Sequence, residues 1–101
     1  MNKEDDLQVL RKLKEKPESS QRELAKKLNF SLGKLNYCLK SLQQKGLIKI
    51  KNFKKNPKKM NYLYILTTKG ISEKTKLTLN FMKRKMQEYE ELKREIEKKE
   101  Q

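Results

Sequence analysis

Residues 20–46 read SQRELAKKLNFSLGKLNYCLKSLQQKG. Within these 27 letters lie two helix starts, two helix stops and the turn between them. Ser20-Gln-Arg-Glu23 is a capping box. Its hydroxyl is spaced to accept from the backbone N–H of Glu23, and its carboxylate to reach back. A short helix follows with Leu24, Ala25 and Leu28 inward, and Asn29, which tolerates the left-handed conformation, ends it. After the turn Asn29-Phe-Ser31 a second helix opens, capped by Ser31, with Phe30 and Leu35 spaced as a hydrophobic staple. Leu32, Leu35, Leu39 and Leu42 recur at intervals of three, four and three, the period of an amphipathic helix, and Gly46 stops it.

Working outward, the upstream segment is also helical. Asn2 is its expected cap, Glu4, Asp5 and Asp6 suit the positive end of the helix dipole, Leu7, Leu10 and Leu13 mark one face, and Pro17 terminates it. Downstream, Leu47-Ile-Lys-Ile-Lys51 alternates apolar and basic residues as a half-buried strand does, and residues 61–67, NYLYILT, are rich in strand formers. Between them, Phe53 to Met60 reads as a basic loop around the Asn56-Pro57 turn signal. From Lys69 onward the pattern is helical again. Leu79, Met82, Met86, Tyr89, Lys93 and Ile96 fall at alternating intervals of three and four, a heptad-like seam with Phe81 and Leu92 beside it.

Three helices and then a hairpin is the order of a winged helix-turn-helix. The expected fold is therefore mainly α with a small β-hairpin. Residues 1–68 would form the winged helix-turn-helix domain, and residues 69–101 a long C-terminal helix that pairs with a second copy as a dimeric coiled coil. In this motif the third helix enters the major groove of DNA. At 100° per residue Gly33, Tyr37, Lys40 and Gln44 point away from the leucine stripe, flanked by Lys34, Asn36 and Ser41.

The charge pattern favours that use of the face over a merely solvated one. Of thirteen acidic residues none lies between Glu23 and Glu73, a stretch that carries twelve lysines. The net charge is +14, of which +11 (17 basic, 6 acidic) belongs to residues 1–68 and +3 (10 basic, 7 acidic) to the rest. A one-sign surface repels itself and persists where a polyanion meets it.

The outer face of the third helix suits bases and phosphates. Asn36 can pair with adenine, Lys40 with guanine or a phosphate, and Tyr37 with a phosphate or a thymine methyl. Gly33 and the Ser31 cap allow the helix start to approach the backbone. Lys54, Lys55, Lys58 and Lys59 at the hairpin tip are expected on phosphates or in the minor groove, unless they serve only solubility. Gln21 and Arg22, opening the second helix, are further phosphate candidates. Tyr62 and Tyr64 share a strand face and read as packing residues.

Other functions lack their residues. Histidine is absent and Cys38 is the one cysteine, so a structural zinc site, a disulfide within the chain and a Ser-His or Cys-His pair are not available. Cys38, at the edge of the leucine face, reads as core rather than as a redox switch. No enzyme activity, cofactor, metal or membrane partner is expected, and a reducing, cytoplasmic compartment is the natural setting.

Ser19 to Leu28, Ser31 to Leu42, Lys45-Gly-Leu-Ile48 and Tyr64-Ile-Leu-Thr-Thr-Lys-Gly-Ile71 together resemble the MarR family of transcriptional regulators, most nearly its short branch associated with exopolysaccharide gene clusters. The resemblance implies a dimeric regulator of double-stranded DNA, usually a repressor, with contacts on the third helix and wing lysines. The chain departs from larger members in lacking their extra dimerisation helices, which wall the family's small-molecule pocket, and in having no arginine in its wing. Two other readings stay open: an archaeal-type architectural chromatin protein with little sequence preference, and a protein-interaction module working through the C-terminal arm.

Overall fold

The computed structural model describes residues 3–56 and 59–99, and the side chains of 53–56 and 59–61 lie outside that description. The order is α1 (Lys3–Glu15), α2 (Gln21–Leu28), α3 (Leu32–Gln44), β1 (Ile48–Asn56), β2 (Lys59–Leu66) and α4 (Thr68–Lys99). This is a winged helix-turn-helix with a long C-terminal helix. The expected cap Asn2 lies outside the described residues.

Local chemistry sets the boundaries. The Ser20 hydroxyl accepts from Glu23 N–H at 3.1 Å. The return half of the capping box does not form, because the Glu23 carboxylate turns to Lys16 Nζ at 3.5 Å. Asn29 sits in the left-handed region (φ 58°), and its N–H closes α2 on the carbonyls of Ala25 and Lys26. Ser31 caps α3, accepting from Lys34 N–H at 3.1 Å. Gly46 takes the second left-handed position (φ 73°), two residues past the end of α3, where a β-carbon would be strained.

The core gathers one stripe from each helix: Leu7, Leu10 and Leu13 of α1, Leu24 of α2, and Leu35, Cys38, Leu39 and Leu42 of α3. Each fully buried leucine contributes about 1.5–3 kcal/mol of burial free energy. Leu32, the first of the leucine repeat, remains exposed because α3 begins there, one turn beyond the packed region.

The hairpin is longer than its sequence signals. β1 and β2 pair antiparallel from Ile48 opposite Leu66 out to Lys54 opposite Met60 and Asn56 opposite Lys59, with a register shift between Lys54 and Asn56. Most of the expected loop is thus strand. Charged and turn-forming residues hid the ladder, whose backbone pairing does not depend on them. Tyr64 is buried, whereas Tyr62, on the same strand face two residues nearer the tip, is 52 % exposed because the hairpin runs past the core. Tyr62 is therefore not the packing residue its spacing predicts.

α4 is welded to the α3–β1 turn. Thr67 N–H donates to the Leu47 carbonyl (3.0 Å), and Thr67 Oγ1 donates to the Gly46 carbonyl (2.6 Å) and accepts from Gly70 N–H (3.0 Å). Lys69 Nζ reaches the Lys45 carbonyl at 3.0 Å. Leu77 and Phe81 then pack on the core beside α1, and beyond them α4 projects as a stalk. The molecule measures 69 × 26 × 21 Å, and its radius of gyration of 17.7 Å exceeds the ~13 Å of a compact chain this long.

Candidate nucleic-acid interface

The third helix presents its outer face to solvent. Its leucine stripe is anchored on α1 and α2, so the opposite side cannot turn inward. Asn36, Tyr37, Lys40 and Gln44 are all exposed, with Tyr37 63 % accessible. Gly33 is exposed, and a β-carbon there would meet no heavy atom within 4 Å. Among the described residues, none covers this surface. Cys38, on the inner side, is buried, and burial pushes its thiol pKa up, as suits a core residue rather than a reactive one.

Several other candidates have structural employment. Ser31 spends its hydroxyl on the α3 cap. Ser41 is half-buried, and its carbonyl accepts from Lys45 N–H. Gln21 Nε2 donates to the hydroxyl of buried Tyr64 at 2.8 Å, tying the first turn of α2 to β2. A second tie, from Tyr64 N–H to the Pro17 carbonyl, anchors the same strand to the α1–α2 connection. Arg22 is exposed beside Gln21.

The wing contributes charge next to α3. Lys49 and Lys51 are exposed on β1 and alternate with Ile48, which is buried in the core, and Ile50, which is 38 % exposed. The backbones of Lys54, Lys55 and Lys59 belong to the hairpin strands, their side chains lie outside the description, and Lys58 lies outside the described residues altogether.

Two carboxylates stand where sequence reading placed none. α1 brings Asp5 within 3.3 Å of Lys34 Nζ and Asp6 within 3.5 Å of Lys45 Nζ. The stretch without acidic residues is therefore not free of them in space. Lys34 also lies over the Phe30 ring, 4.1 Å from its centroid. Asp6 is buried, one of its oxygens has no hydrogen-bond partner among the described residues, and burial raises its carboxyl pKa above the ordinary value against the opposing pull of Lys45. The signal was present but weak: an acidic first turn satisfies the helix dipole whether or not it also reaches another helix. Lys40 has no ion-pair partner among the described residues.

Among the described residues no cluster of His, Cys, Asp and Glu could hold a metal, and no helix is long and apolar enough to cross a membrane. The arrangement offers a polar, cation-bearing helix face of a width that fits a major groove, beside a basic ribbon.

A family model described as winged helix-turn-helix DNA-binding matches residues 6–49. No curated protein matches the sequence. Solved structures do match. Apo MarR from E. coli is similar over 72 % of this chain and 53 % of its own length (26 % identity, TM-score 0.61). A MarR/EmrR family regulator from Acinetobacter sp. ADP1 is similar over 86 % of this chain and 60 % of its own (17 %, TM-score 0.70). A point mutant of MepR from S. aureus, bound to an oligodeoxyribonucleotide, is similar over 93 % and 74 % (21 %, TM-score 0.65). The chain thus spans a little over half the length of several of these regulators, and what it shares with them is the winged helix-turn-helix fold.

Proposed function

We propose that this chain is a sequence-specific regulator of transcription that binds double-stranded DNA as a homodimer and acts as a repressor. Residues 1–68 carry the DNA-binding unit and residues 69–101 the dimerisation helix. The observation that carries the reading is the outer face of α3, where Asn36, Tyr37 and Lys40 stand open beside the exposed lysines of β1. In this reading α3 enters the major groove, Asn36, Tyr37 and Lys40 read bases, and the wing lysines with Arg22 hold the backbone or the minor groove. Similarity to a MepR mutant bound to an oligodeoxyribonucleotide supports a DNA-binding use of this fold.

A dimer follows from the arm. Leu79, Met82, Met86, Tyr89 and Ile96 are each more than half exposed, and a helix cannot leave such a seam bare in water along its full length without cost. A dimer also presents two recognition helices to a two-fold symmetric site. Neither a cofactor nor an effector is assigned. The site of action is the cytoplasm, on chromosomal DNA.

Genome-wide footprinting tests the proposal. One or a few sharp sites with two-fold related halves is the expected result. Even coverage of the chromosome would contradict it and point instead to DNA packaging.

A further inference from the structure

α4 leaves its own domain with a defined orientation. Leu77 is buried on the core, and at 100° per residue Met86 points directly away from it. The apolar seam from Leu79 to Ile96 is 52–66 % exposed at its apolar positions and faces outward. With Leu79 and Met86 taken as heptad position a, and Met82 and Tyr89 as d, the e positions are Lys76, Lys83, Glu90 and Glu97. Their order is two positive, then two negative. All four are exposed, and none is in an ion pair among the described residues.

That order distinguishes the two ways of pairing arms. In a parallel pair each e position faces a g position of the partner, and the g positions are Thr78, Lys85, Leu92 and Lys99, the last lying past the final e position it could face. One opposite-charge contact per arm results, Lys85 with Glu90. Each seam layer is then a residue against its own copy, so Tyr89 meets Tyr89 and Lys93 meets Lys93. In an antiparallel pair e faces e in reverse order. Lys76 then meets Glu97, Lys83 meets Glu90, and symmetry repeats both contacts. The seam layers become mixed: Leu79 with Ile96, Met86 with Tyr89, Met82 with Lys93. A broad ring then faces a slim, adaptable side chain, and the two Lys93 ammonium groups are kept apart.

We propose that two copies of this chain pair through α4 with their arms antiparallel, held in register by Lys76–Glu97 and Lys83–Glu90 contacts between copies. The proposal rests on the homodimer reading above and adds its geometry: the two winged domains stand at opposite ends of a shared stalk.

Cysteine crosslinking under mild oxidation tests it, with buried Cys38 serving as the background control. In the antiparallel pair the two copies of position 96 stand about 25 Å apart, given ~1.5 Å per residue. Ile96→Cys alone therefore yields no crosslinked dimer, whereas Ile96→Cys chains mixed with Leu79→Cys chains yield the mixed dimer. Efficient self-crosslinking of Ile96→Cys overturns the orientation. Charge reversal supplies an independent reading. Lys76→Glu with Lys83→Glu weakens dimerisation about tenfold or more, and adding Glu90→Lys and Glu97→Lys restores it. No restoration contradicts the proposal. Sedimentation of the unaltered chain separates the two levels: a monomer at micromolar concentration sinks the homodimer itself, while a dimer with self-crosslinks sinks only its antiparallel form.

Discussion

Asp6 Oδ2 lies 3.5 Å from Lys45 Nζ, so a buried carboxylate in the first turn of α1 is tied to the residue that closes α3. This pair joins the element that supplies the core to the element proposed to read DNA. The burial of Asp6 raises its carboxyl pKa above 3.8, so the folded state holds the proton more tightly than the unfolded chain. The associated stability is present in acid and is lost as pH rises from about 3.8 through the folded value. Asp6→Asn removes that loss. In urea titrations the variant therefore gains on the parent as pH rises across this window and keeps a constant difference above it. A gain in the opposite direction would show that the Lys45 pair outweighs burial.

Asp5 stands 3.3 Å from Lys34 at the start of α3, the helix proposed to read DNA. A phosphate approaching Lys34 competes with that carboxylate. Asp5→Asn is expected to tighten binding to any DNA sequence and to steepen the plot of log K against log salt by about 1.8 for the dimer, the share of one phosphate contact in each copy. Fluorescence anisotropy at several salt concentrations measures both. An unchanged slope would mean that Lys34 stays on α1 when DNA binds.

Gly70 and Gly33 make opposite demands. A β-carbon on Gly70 would collide with the backbone carbonyl of Leu47, and backbone cannot swing aside. Gly70→Ala should destabilise the fold by about 1–3 kcal/mol, visible as a lower melting temperature. Gly33 has open space, so Gly33→Ala should leave stability equal or raise it by up to about 1 kcal/mol. DNA affinity should fall nonetheless, because the added methyl would stand where the helix start is proposed to meet the phosphate backbone. Unchanged affinity would remove Gly33 from the interface.

Asn36 is exposed on the outer face of α3 and is proposed to read a base. Asn36→Ala should relax preference at one base pair in each half-site, at a cost of about 1–3 kcal/mol, while binding to random DNA is kept. Binding-site selection from a randomised library is the measurement. An identical consensus from parent and variant would exclude Asn36 as a reader.

Lys54, Lys55, Lys58 and Lys59 carry the opposite expectation. Replacing all four with alanine should weaken every sequence about equally and leave the selected consensus unchanged. Loss of sequence preference with random-DNA binding intact would reverse the division of labour between helix and wing.

Much of this architecture was legible in the order of residues, because the deciding signals are local. Ser20, Asn29, Ser31 and Gly46 bound their helices by backbone chemistry that needs no distant partner, and all four act as expected. The reach of the hairpin was not legible. Residues 53–56 and 59–60 look like a loop because lysine and asparagine are poor strand formers, yet the ladder is made by backbone groups. Also hidden were the partners of Lys34, Lys45 and Gln21, which depend on which helices cross. Sequence separation of 29 residues between Asp5 and Lys34, or 43 between Gln21 and Tyr64, carries no periodic signal. The α3 surface was named from its angular position alone. Its openness is what the fold adds.

The proposed binding depends above all on cations presented by α3 and the wing to DNA phosphates. The most direct test is the affinity of the unaltered protein for its selected DNA site as a function of salt concentration. A dimer that neutralises about eight phosphates gives a slope of log K against log salt near −7. A slope close to zero, with binding intact, would contradict it.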